Sequence, residues 1–311
     1  MSDLLQKLSW DDLRIVGAIG ENGSLVAAAQ ALGVNHSTLT RRLGIVEKAL
    51  GTPLFDRHRS GYVPTVAGTD ILALASRVEL DISGVTRRVS GRSQGLKGDL
   101  RITTSDALLL DFLTPIIGDF QRQHPGIRVE VIVSNKPLNL ARGESDIALR
   151  ATIAPPENLV GRKLATVAWA IYGRRIDFVG STPARDALFR MRWAGYGKGV
   201  SRLMAYAFVN EHVCAERIAY RSDSVTAVAS AVAAGIGIGI LPCMHADLLP
   251  SLVRVSPVVT EVYDELWILT HPDIRKSERV TAFMTHCSRV IGEQIDFLEG
   301  RASNGQGYVG E

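Results

Sequence analysis

The chain has 311 residues, of which 46% are hydrophobic and 22% are charged, and its formal net charge is +3. This length exceeds what one hydrophobic core usually serves, so two or three compact units are expected, and the composition excludes wholesale disorder. No apolar run approaches the roughly 18 residues of a membrane-spanning helix, and the N-terminal sequence lacks the pattern of a secretory signal. A soluble cytoplasmic protein with no membrane partner is therefore predicted.

Cysteines, histidines and glycines give no indication of a metal or cofactor. Cys214, Cys243 and Cys287 are odd in number and lack CxxC spacing, so buried thiols are expected rather than a disulfide framework or a zinc site. The seven histidines show no HExxH spacing. The run GIGIGI at 235–240 lacks the final spacing of a GxGxxG dinucleotide motif. No cofactor and no metal are predicted.

The first part of the chain has the pattern of a helix-turn-helix. In LVAAAQAL (25–32) the apolar residues follow i, i+3, i+4 and i+7 behind Ser24, a residue type that suits an N-cap. Gly33 ends this helix, Asn35 can cap a second one, and leucines again follow helical spacing until Gly51. These two helices meet at the glycine turn of Gly33. WDDLRIVGAIG forms a further helix before them, which completes the helix-turn-helix arrangement.

The second of these helices carries a polar face opposite its leucine stripe. Ser37, Thr40 and Arg41 lie on this face, while His36 and Thr38 flank the stripe on the first turn. Such a face is often plain solvated surface. Short hydrogen-bonding side chains beside arginine, however, suit base edges and phosphates in a major groove, whereas solvated helices more often carry glutamate and lysine pairs.

A hairpin is predicted after this helix. The segment LFDRHRSGYVPT has two short apolar runs around an RSG turn, and its tip carries Arg57, His58 and Arg59. Between residues 41 and 61, five basic residues stand against two acidic ones. Positive charge is therefore concentrated where the helix and the hairpin would meet DNA.

This region resembles the winged helix-turn-helix of LysR-type transcriptional regulators. The matching motifs are the alanine-rich helix, VEKALGTPLFDR and PTVAG. The second helix departs from the family pattern, because Asn35 stands where serine is usual and His36 where glutamine is usual, so the family's base preference cannot be carried over. The resemblance implies the following base and phosphate contacts: Asn35, His36, Ser37, Thr38, Thr40, Arg41, Arg57 and Arg59.

A long helix is predicted next, with Thr65 as its N-cap. Its apolar residues recur at seven-residue spacing and form a seam. The members of this seam are Ile71, Ala75, Val78, Ile82, Val85 and Val89. The helix could pack on its own domain; the resemblance favours a linker that pairs with the same helix of a second subunit. The polar, glycine-rich SGRSQGLKG then forms a hinge.

After Gly98, strands alternate with helices, which indicates an α/β unit with a largely parallel sheet. This span resembles the effector-binding domain of the same family, a two-lobed α/β domain of the type 2 periplasmic-binding-protein fold, so the whole chain is assigned to the α/β class. The predicted limits are a mainly α DNA-binding domain 1–65, a linker helix 66–94, a regulatory domain 95–298, and a flexible tail 299–311. Lobe I covers about 98–165 and 266–296, and lobe II about 166–265.

Ligands of open α/β sheets sit beyond the carboxyl ends of strands, often at helix N-termini that favour anions. Each residue selected by this rule could also be an ordinary cap, but all converge on one cleft, and equivalent positions line the inducer pocket in the family. The selected residues are Thr104, Ser105, Ser134, Asn135, Arg150, Gly195, Tyr196, Ser222 and Asp223. Serine, threonine and arginine suit a small carboxylate as a hypothesis.

The predicted function is that of a non-enzymatic LysR-type regulator, which binds a dyad-symmetric promoter site on double-stranded DNA and responds to a small-molecule effector. The resemblance implies a homodimer or homotetramer, and RNA polymerase as a further partner. The alternative is a two-lobed small-ligand-binding enzyme or carrier with an accessory N-terminal domain. It would need a nucleophile or an acid–base pair, and no such constellation is recognisable.

Overall fold

The computed structural model describes residues 8–58, 61–91, 95–135, 145–179 and 183–301. Contacts within the chain divide it into two compact units, Met1–Thr86 and Arg87–Glu311. Within the described ranges, every helix is too short or too polar to cross a bilayer.

The first unit consists of three short helices, a hairpin and the start of a long helix. Its elements are α1 Trp10–Asn22, α2 Leu25–Leu32, α3 His36–Leu50, β1 Phe55–His58, β2 Gly61–Pro64 and α4 Val66–Gly91. The predicted caps are confirmed: the side chains of Ser24, Asn35 and Thr65 each accept a backbone N–H of the first helical turn. Gly33 takes a φ of 65° between α2 and α3, which any other residue would adopt only with strain.

The apolar stripes of the three helices meet in one core, as their spacing predicts. The buried members are Val16, Ile19, Leu25, Ala28, Ala29, Leu39, Leu43, Val46, Leu54 and Phe55. The strands β1 and β2 pair antiparallel, which confirms the predicted hairpin. Tyr62 donates its backbone N–H to the carbonyl of Gly23 at 2.8 Å, and this bond fixes the hairpin against the turn between α1 and α2.

The seam of α4 is divided along its length. Ile71 packs against the core of its own unit and Ala75 is buried. Ile82 and Val85 are 42% and 52% exposed in the single chain. The side chain of Val89 lies outside the described residues. The first part of the seam thus packs on its own unit, which was one alternative. Pairing of the exposed part with the same helix of another subunit, the other alternative, stays a prediction.

The second unit is an α/β domain. Its described strands are β3 Gly98–Thr104, β4 Ile127–Val133, β5 Ile147–Ala151, β6 Val160–Arg174, β7 Trp193–Tyr196, β8 Ile218–Ser222, β9 Gly239–Pro242 and β10 Leu252–Thr270. Its described α-helices are α5 Asp106–Leu108, α6 Thr114–Gln123, α7 Arg185–Phe189, α8 Met204–His212, α9 Val225–Ala233, α10 Cys243–Ala246, α11 Glu278–Gly292 and α12 Ile295–Leu298. A π-helical segment, Leu109–Leu113, joins α5 to α6.

The main sheet has the order β4-β3-β5-β10-β6-β9. β3 runs parallel to β4 and β5, but β10 is antiparallel to β5 and β6, and β6 is antiparallel to β9. The expected largely parallel sheet is therefore corrected to a mixed one. All antiparallel pairs of the sheet involve β6 or β10, which have 15 and 19 residues and pair along a ladder that three register shifts interrupt. These irregularities break the period-2 pattern by which a strand is found in a sequence.

Two hydrophobic cores give the second unit its two lobes. The lobe I core includes Leu100, Phe112, Phe120, Ile147, Leu266, Ile268 and Phe283. The lobe II core includes Trp169, Tyr172, Trp193, Phe208, Val232 and Ile240. The strands β6 and β10 contribute to both cores, passing from one to the other between Val167 and Ala168 and between Val262 and Leu266.

Glycines precede β9, which lies within the GIGIGILP segment. A Cβ at Gly237, two residues before the strand, would collide with the carbonyl oxygen of Arg192, so the close backbone approach requires glycine there. The expectation of buried thiols needs a correction. Of the cysteines, Cys243 and Cys287 are buried as expected, but Cys214 is exposed.

Candidate DNA-reading helix and effector cleft

The first turn of α3 uses some of its polar side chains within the helix. Asn35 is the N-cap, and its Oδ1 accepts hydrogen bonds from the backbone N–H and the hydroxyl of Ser37, both at 3.0 Å. Thr40 donates its hydroxyl to the carbonyl of His36 at 2.9 Å. His36 and Thr38 are exposed, as Ser37 and Arg41 are. The cap is thus Asn35, and the imidazole of His36 faces solvent from the first helical position.

Two neighbouring arginines of α3 differ in their surroundings. Arg42 donates from Nη1 to Oδ1 of Asp12 on α1 at 3.1 Å. Asp12 is 8% exposed and also accepts the backbone N–H and the hydroxyl of Ser9, at 3.0 and 2.7 Å. Burial raises the pKa of Asp12, but the bonds from Ser9 and Arg42 outweigh it, so that the pKa lies below its usual value. Arg41 is exposed, and within the described ranges no hydrogen bond or ion pair engages it.

The hairpin is attached to α3 at its base. Glu47 of α3 accepts the backbone N–H of Leu54 at 2.8 Å. Arg57 lies on β1 opposite Tyr62, with its guanidinium carbon 5.8 Å from the centre of the tyrosine ring. Arg59 lies outside the described residues. Arg57 is therefore exposed on the same DNA-binding unit that exposes Arg41.

Most of the residues selected for the effector cleft lie at or just after strand ends, as the strand-end rule expects, whereas Arg150 lies within β5. Thr104 ends β3, with Ser105 next to it; Ser134 and Asn135 follow β4. In lobe II, Ser222 ends β8, which runs parallel to β7, and Asp223 follows it. The side-chain nitrogen of Asn135 lies 3.5 Å from the carbonyl oxygen of Asp223. The two sets of strand ends thus face each other across the lobes.

Thr104 and Arg150 carry polar groups that the described residues around them do not fully satisfy. The side chain of Thr104 is fully buried, and its hydroxyl finds no hydrogen-bond partner among the described residues. Arg150 donates to the carbonyl of Ser134 and, at 2.7 Å, to the hydroxyl of Thr103. Both acceptors are neutral, and burial lowers the pKa of Arg150 to about 10. An unpaired buried hydroxyl and an uncompensated guanidinium are groups that a ligand oxygen or anion can satisfy.

Gly195 and Tyr196 instead belong to the interior of lobe II. Tyr196 is fully buried and donates its hydroxyl to the carbonyl of Ile240 at 2.8 Å. A Cβ at Gly195 would contact Val209 and Ile218. These two residues shape the lobe beneath the cleft, and the tyrosine hydroxyl is already used.

Sequence reasoning missed three residues that join the lobes. Asp106 of lobe I accepts hydrogen bonds from the hydroxyls of Ser224 and Thr226 of lobe II. Asp106 comes one residue after the selected Thr104 and Ser105, and Ser224 comes one residue after the selected Ser222 and Asp223. The strand-end rule therefore found both loops and stopped one residue short in each.

A buried carboxyl group at the crossover of the lobes was also missed. Asp264 of β10 is 5% exposed, and Nε1 of Trp169 on β6 donates to it at 3.1 Å. Burial raises the pKa of Asp264 to about 7, against the lowering effect of that one hydrogen bond.

A helix-turn-helix with an exposed cationic face, followed by a two-lobed α/β domain, defines a ligand-responsive DNA-binding regulator. Residues 10–69 match the family described as bacterial regulatory helix-turn-helix protein, lysR family. Residues 93–291 match the LysR substrate binding domain. The chain therefore belongs to the LysR family of transcriptional regulators.

Curated relatives carry regulator names. The Mau operon transcriptional activator of Paracoccus denitrificans is 24% identical over 288 residues, covering 93% of this chain and 98% of the relative. An HTH-type transcriptional regulator of Xanthomonas campestris is 31% identical over 162 residues, which are 52% of this chain and 47% of that protein. The chain thus matches about half the length of the second relative and nearly all of the first.

Solved structures of the family share the fold. The full-length virulence activator AphB of Vibrio cholerae is 21% identical, with a TM-score of 0.55, and the match covers 90% of this chain and 98% of AphB. Full-length CbnR, solved in complex with its target DNA, is 18% identical, with a TM-score of 0.58, and the match covers 92% of this chain and 100% of CbnR.

Proposed function

We propose that this regulator binds a dyad-symmetric promoter site as a homodimer or homotetramer, with α3 in the major groove and the hairpin on the adjacent backbone. The observation that carries the proposal is the pair of neighbouring arginines. Arg42 is held by Asp12 and fixes α3 to α1, which leaves Arg41 at the exposed surface with its charge available to a phosphate or a guanine.

In this proposal residues 1–65 bind DNA, 66–94 join two copies, and 95–298 bind an effector, with 299–311 as a tail. The protein acts in the cytoplasm without enzymatic activity of its own, and it contacts RNA polymerase at the promoter. The base and phosphate contacts are the residues predicted from the sequence: Asn35, His36, Ser37, Thr38, Thr40, Arg41, Arg57 and Arg59.

The experiment is a titration of the full-length protein with DNA from its own upstream region at several salt concentrations. Arg41→Ala is expected to weaken binding by about 1–3 kcal/mol and to lower the salt slope by about one. The melting temperature should not change, because Arg41 is exposed. The matched control is Arg122→Ala, since Arg122 is an exposed arginine of α6 in the second unit that pairs with Asp119. Equal affinity and salt slope for Arg41→Ala and wild type would refute the assignment of α3.

The effector is proposed to bind between the lobes and to contact Thr104 and Arg150 with an anionic or hydrogen-bonding group. Support comes from the buried hydroxyl of Thr104 and from the absence of a carboxylate partner for Arg150 among the described residues. A ligand that satisfies both groups would favour one arrangement of the lobes and so alter DNA binding. Thermal-shift screening of the full chain against small carboxylates tests this part.

A further inference from the structure

The carboxylate of Asp106 connects the two lobes. Its Oδ2 accepts hydrogen bonds from the hydroxyl of Ser224 at 2.5 Å, from the hydroxyl of Thr226 at 2.9 Å and from Nδ2 of Asn135 at 3.1 Å. Asp106 and Asn135 belong to lobe I, whereas Ser224 and Thr226 are separated from Asp106 by more than 100 residues and belong to lobe II. Three donors from both sides of the cleft thus converge on one oxygen.

The lobe II side of this contact is the beginning of a helix. Ser224 is the N-cap of α9 (Val225–Ala233), and its hydroxyl also accepts the backbone N–H of Ala227. A helix N-terminus favours a negative charge, yet the first turn of α9 contains no acidic residue. Asp106 supplies that charge from the opposite lobe.

The surroundings of Asp106 keep it ionised. Its burial raises the pKa, but hydrogen bonds from Ser224, Asn135 and Thr226 lower it by more, so the pKa is below the usual value of an aspartate. The contact is therefore a charge-assisted one, in which a full carboxylate meets hydroxyl and amide donors.

The position of this contact coincides with the cleft proposed for the effector. Asp106 follows Thr104 and Ser105 at the end of β3, and its partner Asn135 also lies against the carbonyl of Asp223. Any anionic group that enters between the lobes and approaches the N-terminus of α9 meets Asp106 already bound there.

We infer that Asp106 is an internal anion that holds the lobes together without effector, and that a carboxylate-bearing effector competes with it for Ser224, Thr226 and the N-terminus of α9. This inference rests on the proposed effector cleft. Because one carboxylate replaces another, the exchange alters which lobe I residues are tethered to α9 without leaving its N-terminus unmatched. Asp106 would thus set the ligand-free lobe arrangement, while Ser224, Thr226 and the N-terminus of α9 supply the attraction for an anionic effector.

The test uses the ligand-free, full-length protein and formate as the probe. Asp106→Ala removes the carboxylate and leaves room for a small anion. We expect a lower melting temperature and about tenfold faster amide hydrogen exchange in residues 222–228. Sodium formate should restore both quantities in the variant, whereas sodium chloride at equal ionic strength should not. In the wild type the tethered carboxylate of Asp106 already occupies the site, so the same formate concentration should have a smaller effect there than in the variant.

Asp99→Ala is the matched control. Asp99 is another aspartate of lobe I, and it pairs with Arg128 on the exposed surface at 2.6 Å. Its removal should leave exchange in residues 222–228 at the wild-type rate, with no restoration by formate. An equal response of both variants to formate would overturn the inference, as would wild-type exchange rates in Asp106→Ala.

A second variant covers the case in which Asp106→Ala does not fold. Thr226→Val removes one donor to Asp106 and keeps the shape of the side chain. We expect faster exchange in residues 104–107, across the cleft from the substitution; a role confined to lobe II would leave that segment unchanged and would overturn the inference. Neither measurement needs an effector or DNA, so failure here leaves the proposed function standing, and failure of the DNA titration leaves this result standing.

Discussion

On α3, Arg41 stands in solvent, while its neighbour Arg42 is held by the largely buried Asp12. In the cleft of the second unit, Arg150 is half-buried beside neutral acceptors, and Asp106 reaches into the opposite lobe. An exposed charge is solvated and needs no partner within the protein, so it can bind a polyanion with release of counterions. A buried charge must be matched in the folded protein, so ligand binding and stability are coupled there. Substitutions of exposed residues on the DNA face should therefore change affinity without changing stability, whereas substitutions of buried charges should also change stability.

The largest expected effect concerns the buried Asp264. Its folded-state pKa of about 7 lies above the usual 3.8, so its contribution to stability is fully present below pH 4 and is lost as the pH rises to 7, by an upper bound of roughly 4 kcal/mol. Trp169 and the hydroxyl-bearing Tyr196 face it from β6 and β7. Asp264→Asn keeps an acceptor for Trp169.

Thermal unfolding from pH 5 to 8 measures this effect. The Asn variant should exceed the wild type in melting temperature at pH 8, and the difference should shrink toward pH 5. The control is Asp223→Asn, which makes the same substitution at an exposed aspartate of the same unit. A wild-type melting curve for Asp264→Asn at pH 8 would mean that the buried carboxyl group costs nothing, and the contrast between the two regions would weaken.

The next effect concerns Asp12, which makes the DNA-binding unit depend on one buried charge. Asp12→Ala removes the partner of Arg42 and of the capping bonds to Ser9, and it should cost about 2 kcal/mol in the free energy of unfolding. Chemical denaturation measures this cost. Asp11→Ala is the control, since the exposed pair of Asp11 with Arg14 at 3.5 Å should contribute less than about 0.5 kcal/mol. Equal losses in both variants would contradict the role given to Asp12.

A smaller effect on stability is expected for Thr104→Val. This variant tests whether the response to a ligand can be lost while stability is kept. Valine keeps the shape and removes a buried hydroxyl that has no partner in the described part of the chain. The melting temperature should stay the same or rise by an amount worth about 1 kcal/mol. The response to any effector found by thermal-shift screening should fall or vanish. A stability loss above that size would show that the hydroxyl is already satisfied.

The smallest effect on stability is expected for His36→Gln, since the imidazole faces solvent. Glutamine pairs with adenine, whereas imidazole offers a donor and an acceptor or two donors. We expect an altered order of preference among operator variants. Binding assays on an operator library measure this order. An unchanged preference would leave His36 without a role in base reading.

The DNA-reading unit could be predicted closely because its determinants are local. Ser24, Asn35 and Thr65 cap helices within three residues of themselves, and the leucine stripe of α3 is a property of one helix. Once the leucine face of α3 is known to be buried, the helical period alone shows which residues form its exposed face. His36 could be placed in the same way, and only its base preference stays open.

The cleft could be predicted only in outline because its contacts are non-local. The strand-end rule found the loops of Thr104 and Ser222, but the partners of Asp106 lie in a lobe that the sequence does not orient. The pairing of β6 with β10 contains irregular positions, so no simple period along the sequence reveals how these two long strands make the sheet mixed. The burial of Tyr196 depends on Ile240, which lies 44 residues away.

The crossover of β6 and β10 restricts how the two lobes can move. Both strands enter both cores, so sliding or detaching one lobe would break the pairing of β6 with β10. Rotation about the two-stranded ribbon is the displacement that keeps most of its hydrogen bonds. The ladder is interrupted between Arg254 and Val258 and between Val258 and Tyr263, where fewer bonds resist twisting. Twisting is therefore expected to be easiest between Val258 and Tyr263, next to the crossover, where it would turn one lobe against the other and leave both cores intact.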